Sequence, residues 1–379
     1  MKSFPTSIAI AGAWGYIGRK FLDAALRLGI RPYVYDPGPA PADVALGRVV
    51  RIGGEEEFYR LDADLFHLAL HPEHRRRGTE ILLARASSRP ILILNEKPMA
   101  SPERPEQCDQ IIRAVDASAA VMVYDFPELF DPLTEAITGH LARYERVEIR
   151  RLYVQRSKDR EARENPRNYK RMVPIQFQES VHCLAFALYL LGRHQGSVES
   201  LFDGGVVVDA QADPYDPPNP EAYPYVVDGR CHYRLRLGRV DVEGLTDFKR
   251  NAAFSKRRVI EGMADGRPFL IEADYLEGGK RLAIDGKDQG WDAASNSYEQ
   301  VIRTLARWYQ EDGADRLRKG VYPNPRFARL TYQLSAMLWK SSHDRRSMEA
   351  ASLGDLLNFD AGFAAAVPRL PRYAPRSTT

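Results

Sequence analysis

One stretch near the start of the chain limits its fold more than any other. Ser7-Ile8-Ala9-Ile10-Ala11 is a short apolar run with strand character. Gly12-Ala13-Trp14-Gly15-Tyr16-Ile17-Gly18 follows at once, and Phe21, Leu22, Ala25, Leu26 and Leu28 then recur at helical spacing. Glycines at a strand-to-helix junction let the backbone approach a pyrophosphate, and the helix N-terminus offers N–H donors and a positive dipole end. The spacing here is GxxGxxG, with Ala13 in the first glycine slot of the stricter GxGxxG. Pro32-Tyr33-Val34-Tyr35-Asp36 reads as the second strand, and its carboxylate lies 18 residues after Gly18. A carboxylate there accepts hydrogen bonds from both ribose hydroxyls of a dinucleotide and repels a 2′-phosphate. No Lys or Arg between Pro37 and Gly47 offsets it, so NAD is expected rather than NADP.

The same alternation continues. Arg48 to Ile52 reads as a third strand and Asp64 to Leu70 as a fourth, with His67 packed inside it. His71-Pro72-Glu73-His74 is then a turn beside the cofactor, leading into a helix from Arg75 to Ala86. Pro90 to Leu94 is a buried strand, followed by Asn95-Glu96-Lys97-Pro98-Met99-Ala100. A charged pair at the end of such a strand faces the crevice where open α/β sheets bind ligands. A helix from Pro105 to Ala117 and a sixth strand from Ala120 to Tyr124 complete the set. Six strands alternating with helices predict an α/β fold, with a doubly wound Rossmann domain over residues 1–125.

Residues 126–379 read as a second, α+β domain. Asp125 to Pro132 is the crossover, Leu133 to Tyr144 a helix, and Val147 to Gln155 a strand. Arg156 to Arg171 is dense in charge and reads as a solvated loop, or else as an electropositive wall for a substrate carboxylate or phosphate. Gln176 to Gly192 reads as a buried helix closed by Gly192, with Gln178 and His182 on one face and Glu179 beside them. From Ser200 to Gly286 the pattern is that of an antiparallel sheet, with hairpin turns at Asp228-Gly229, Asp265-Gly266 and Gly278-Gly279. Helices are expected over Ser297 to Glu311 and Asn324 to Ser342, and the tail beyond Pro368 reads as frayed.

Composition narrows the function classes. A length of 379 residues suits two domains, and a net charge of +3 is too small to argue for nucleic acid. Cys108, Cys183 and Cys231 are an odd count without metal-ligand spacing, so neither a disulfide framework nor a metal is expected. A reducing, cytoplasmic setting is the expectation: the apolar run from Ile8 is too broken for a signal peptide, and nothing approaches a membrane span.

The order of these pieces resembles the Gfo/Idh/MocA family, the glucose-fructose oxidoreductase and inositol dehydrogenase type. The resemblance covers about residues 5 to 350 and rests on Gly12 to Gly18, Asp36, Pro72, Glu96-Lys97-Pro98 and the helix from His182 to Tyr189-Leu190-Leu191-Gly192. It implies a second domain built on a large, mostly antiparallel sheet whose open face makes a homo-oligomer, a dimer or tetramer. Lys97 then contacts the substrate hydroxyl and nicotinamide ribose and polarises the reacting oxygen, and His182 is the general acid/base. The family's usual aspartate four residues before that histidine is Gln178 here, and a second, three residues after it, is Ala185. Glutamine can orient an imidazole but carries no charge.

The function expected is hydride transfer between nicotinamide and a sugar, cyclitol or related, acid-bearing hydroxyl or keto substrate. Lys97, His182 and Gln178 carry the chemistry, while Gly12, Ala13, Trp14, Gly15, Tyr16, Ile17, Asp36, His71, Pro72, Glu96 and Lys97 hold the cofactor. Tyr153, Arg156, Tyr169 and Lys170 are candidates for the substrate wall. A redox-neutral enzyme with retained NAD, and a binding or regulatory protein on the same fold, are the alternatives. A short-chain reductase is disfavoured, because the only Tyr-x-x-x-Lys is Tyr16 with Lys20, inside the first helix.

Overall fold

The computed structural model describes residues 4–44, 46–291 and 296–366, so the tail beyond Pro368 lies outside the described residues. Its first sheet is the expected one. Strands β1 (Ser7–Ala11), β2 (Arg31–Tyr35), β3 (Val50–Arg51), β4 (Leu65–Leu68), β5 (Leu92–Glu96) and β6 (Val121–Asp125) pair in parallel in the order β3-β2-β1-β4-β5-β6. Parallel strands are covered on both faces, which is why they read as unbroken apolar runs. Every residue of β5 and β6 is buried, including Asn95, Glu96 and Asp125. Helices α1 (Tyr16–Arg27), α2 (Glu55–Tyr59), α3 (Pro72–Arg85), α4 (Glu106–Asp116) and α5 (Pro132–Leu141) fall between and after the strands. α3 begins earlier than expected: His71 is its N-cap and Pro72 its first residue, where a missing N–H costs nothing. The strand order reverses between β1 and β4, the position at which doubly wound sheets bind ligands.

The second sheet has nine strands. β7 (Val147–Ser157) runs two residues beyond its expected end and takes in Arg156. A π-helical turn over Gln176–Ser180 leads into α6 (Val181–Gln195). The expected regular helix closed by Gly192 is corrected on both counts. Gly192 is buried within α6, and the helix is capped by Gly196, whose φ of 78° is left-handed. β8 (Val206–Pro214), β9 (Asp228–Leu237), β10 (Val240–Asp247), β11 (Arg257–Ala264), β12 (Arg267–Asp274), β13 (Arg281–Ile284) and β14 (Lys287–Asp288) follow. The chain then adds α7 (Ser297–Glu311), α8 (Gly313–Lys319), α9 (Pro325–Asp344) and the edge strand β15 (Met348–Ala350). The order is β14-β13-β12-β11-β7-β10-β9-β8-β15, antiparallel except where β7 pairs with β10. Alternate residues of β9 and β10 are buried, as one covered face requires. Asp265-Gly266 closes the β11–β12 hairpin with both residues at positive φ. Asp228-Gly229 does not turn but opens β9, and a Cβ on Gly229 would lie 2.8 Å from Tyr215 Cα.

The chain divides into two compact units that are not contiguous in sequence. One comprises Met1–Ser101, Pro105–Thr134 and Ala294–Arg329, the other Pro102–Arg104, Glu135–Ala293 and Leu330–Thr379. The single boundary expected at residue 125 is therefore replaced by a return of the chain to the first unit. α7 is capped by Asn296, which accepts from Tyr298 N and Glu299 N, and it packs on α1 through Tyr298 against Phe21. Thr304 Oγ1 donates to Phe130 O at 2.9 Å. Among the described residues no helix is long and apolar enough to cross a membrane.

Candidate functional site

In the first unit the glycine turn is shaped by contact. Gly12 has φ +73°, its N–H donates to Tyr35 O at 2.9 Å, and a Cβ on it would sit 2.6 Å from Ala69 O. A Cβ on Gly18 would sit 2.1 Å from Gly12 O, so only glycine lets α1 pack this closely on the turn. Gly15 is the N-cap of α1; it brings no side chain to the helix end, and the first turn, with Tyr16 and Ile17, holds no acidic residue. The positive end of a 12-residue helix is therefore presented without a protein carboxylate of its own. Asp36 ties the turn to the end of β2: Oδ2 accepts from Trp14 N at 3.0 Å and Oδ1 from Gly38 N at 2.9 Å. Each oxygen keeps a further lone pair for a ribose hydroxyl. The turn, with Ala13 buried beneath it, fits a dinucleotide.

Lys97 follows β5 and precedes a cis peptide to Pro98. The residues before it are held tightly. Glu96 lies opposite Asp125 in the β5–β6 register, and His67 Nε2 is 3.1 Å from Glu96 Oε1. His67 is wholly buried, its ring 4.0 Å from that of Phe21, which makes it a packed residue that also anchors Glu96. Burial, then the charge and hydrogen bond of Glu96, push the Asp125 carboxyl well above the usual range, while Lys97 opposes the rise. The two carboxyl groups are thus paired by a side-chain hydrogen bond in a buried site. Arg75 donates to Asn95 Oδ1 at 3.0 Å and to the Pro98 carbonyl, gripping the segment on both sides of Lys97. His71 and His74 both lie 3.5 Å from Glu73 at the start of α3.

In the second unit Arg156 and Lys158 project toward the helix-covered face of the sheet. Both pair with Glu179 on the π-helical turn, Lys158 Nζ at 2.5 Å. Glu179 is therefore a shared counter-ion for Arg156 and Lys158. Burial holds the Lys158 ammonium well below its ordinary pKa, against the pull of Glu179. Ser180 Oγ meets Thr246 Oγ1 of β10 at 2.7 Å, and Gln176 Nε2 donates to Asp228 at 2.7 Å. Burial pushes Asp228 up to about 6, with the Gln176 hydrogen bond opposing. His182 is buried in the first turn of α6, and Gln178 is part-exposed on the π-helical turn.

Tyr153 lies opposite Glu243 in the register and donates to Gln155 at 3.3 Å, an odd number of residues along β7 from Arg156. The stretch after β7 is anchored rather than loosely solvated: Asn168 is wholly buried, Tyr215 and Tyr223 donate to the carbonyls of Arg160 and Lys170, and Glu161 accepts from Asp216 N and Arg250 N. Tyr169 remains about half exposed, its hydroxyl donating to Arg163 O. Lys158 and the linkage of His67 to Glu96 and Asp125 were not read from the sequence. The signal available for Lys158 was its i+2 spacing from Arg156 on a continuing strand.

A doubly wound unit with a glycine turn, joined in one chain to a nine-stranded sheet, defines a recognisable class. No family model matches the sequence, and no curated protein sequence is similar to it. Solved structures share the fold. A myo-inositol dehydrogenase from Corynebacterium glutamicum is 18% identical with a TM-score of 0.65, over 90% of this chain and 98% of that one. A UDP-N-acetylglucosamine 3-dehydrogenase from Acidithiobacillus ferrooxidans is 12% identical with a TM-score of 0.65, over 88% and 97%. The transcriptional regulator Gal80p from a Kluyveromyces yeast is 10% identical with a TM-score of 0.61, over 91% and 94%. At these identities the likeness is one of fold.

Proposed function

We propose that this chain is an NAD-dependent oxidoreductase of the Gfo/Idh/MocA type, acting on a hydroxyl or keto carbon of a sugar, cyclitol or related acid-bearing substrate. The observation that carries the reading is the Gly12–Gly18 turn at the switch point of the sheet, with Asp36 hydrogen-bonded to it from β2. The dehydrogenase names among its fold relatives support it. Residues Gly12 to Ile17 and Asp36 would hold the cofactor, with His71, Pro72, Glu96 and Lys97 along its nicotinamide half. When bound, that group supplies hydride transfer at its C4. Lys97, a cation on a segment held by Arg75 and Glu96, polarises the substrate oxygen. His182 takes or returns the proton on that oxygen, and Gln178 orients the substrate or the imidazole. Arg156, which shares Glu179 with Lys158, would recognise a substrate acid together with Lys170 and Tyr169. A cytoplasmic setting and a homo-oligomer formed through the open sheet face belong to the same proposal.

The test is Lys97→Met. Turnover on a polyol and keto-sugar panel should fall by about 100-fold or more, as loss of an electrostatic stabiliser entails, while NAD still binds. Full activity in that variant overturns the role. Gln178 in place of the family's aspartate, together with the Gal80p likeness, favours a second reading as a dinucleotide-binding regulator. Dinucleotide binding with no turnover of any panel member by the unaltered protein would select it.

A further inference from the structure

Between α3 and α4 lies a cavity of about 280 Å³ that shares only Pro72 with the residues proposed to hold the cofactor. Its walls include Thr79, Leu83, Met99, Ile111 and Ala114, and Arg75 lines it as well. Arg75 is 3% exposed. Its side-chain hydrogen bonds go to neutral oxygens, those of Asn95 and Pro98, and its Nε has no acceptor among the described residues. Burial draws its pKa down to about 10, so it is charged at neutral pH. The phenol of Tyr124 bears on it most, and the carboxylate that does so, Glu96, is engaged with His67 and Asp125. The acid on the cavity rim, Glu80, is held by Arg76 at 2.8 Å. A buried guanidinium with an open donor and no contacting carboxylate is costly to keep, and it sits against apolar walls.

We propose that this cavity binds a small amphipathic monocarboxylate, with its carboxylate on Arg75 and its apolar tail against Leu83, Met99, Ile111 and Ala114. A carboxylate supplies both the missing acceptor and the missing counter-charge. The cavity is smaller than a drug-sized pocket and suits a tail of about six carbons. Arg75 also grips Asn95 and Pro98, so occupancy bears directly on the segment that carries Lys97. The inference does not depend on the dinucleotide reading.

The test is calorimetric titration of the full chain with hexanoate, hexan-1-ol and hexylamine. Hexanoate should bind one to one, hexan-1-ol at least about tenfold more weakly, and hexylamine not at all. Ala114→Phe, which fills the space and leaves Arg75 in place, should abolish hexanoate binding. Arg75→Met should abolish the preference for the acid. Bound hexanoate should also slow amide hydrogen exchange at Asn95 to Met99. Absence of hexanoate binding up to about 10 mM, equal affinity for the alcohol, or unchanged binding in Ala114→Phe would each overturn the proposal. If Arg75→Met does not fold, the Ala114→Phe result decides.

Discussion

Replacing Glu179 by Gln keeps the shape of the side chain and removes the charge that Arg156 and Lys158 share. The Glu179 side chain is 3% exposed, and those of its partners are 11% and 16% exposed. At an effective dielectric constant near 20, a charge pair in contact is worth about 4 kcal/mol. Removing one member of a buried pair costs about 3–5 kcal/mol, because the remaining charge is stranded. Both cations keep some access to water and Lys158 can shed its proton, so Glu179→Gln should cost about 3 kcal/mol, at the low end of that range. The loss should depend on pH. Burial already depresses Lys158, and without Glu179 its pKa falls further. Over the interval between the two folded-state values, the variant's native state lacks a proton that its unfolded state binds. The variant therefore gains stability as pH rises while the parent does not. The gap should narrow as pH rises through that interval, as read from urea unfolding at a series of pH values. Adding Lys158→Met to the variant should restore about 1 kcal/mol, measured as the coupling in a double-mutant cycle. A loss below about 1 kcal/mol where the gap is widest, or one constant with pH, would refute the reasoning.

Other substitutions give sharp outcomes. Asp228 is held near 6 in place of 3.8, so Asp228→Asn should stabilise the protein at pH 7 by up to about 3 kcal/mol while keeping an acceptor for Gln176. That gain should shrink as pH falls from about 6 to about 4, where the parent's folded form takes up its proton; a pH-independent gain in chemical unfolding would contradict the assignment. Gly18→Ala meets backbone 2.1 Å away and should lose about 2 kcal/mol, despite alanine's better helix propensity. Gly139→Ala on α5 meets nothing within 4 Å and should gain about 0.5–1 kcal/mol, so similar Tm shifts in the two variants would refute the packing account.

The inner strands β1, β4, β5 and β6 were readable because buried strands must be apolar, and each is followed by a helix. Asp36 was readable because its separation from Gly18 follows from one helix and one strand. What stayed hidden has a common cause in contacts between distant segments. The triad of Arg156, Lys158 and Glu179 joins a strand to a turn 23 residues away, and a list of charges shows only a basic cluster. The π-helical turn at Gln176–Ser180 lengthens one helical turn without changing the apolar pattern, so spacing alone reads it as regular helix. Gly192 looked like a helix end because glycine usually marks one, yet it is packed within α6. The return of 294–329 to the first unit is set by packing such as Phe21 on Tyr298, which no local pattern announces.

The central claim is that the Gly12–Gly18 turn and Asp36 hold an adenine dinucleotide without a 2′-phosphate. Titration of the protein with NADH and with NADPH, followed by nicotinamide fluorescence, tests it most directly. NADH should bind saturably at one per chain and NADPH at least about tenfold more weakly, since a carboxylate facing a phosphate costs more than about 1.4 kcal/mol; Asp36→Ala should erase the difference. Failure of both to bind, or equal affinity for the two in the unaltered protein, would contradict it.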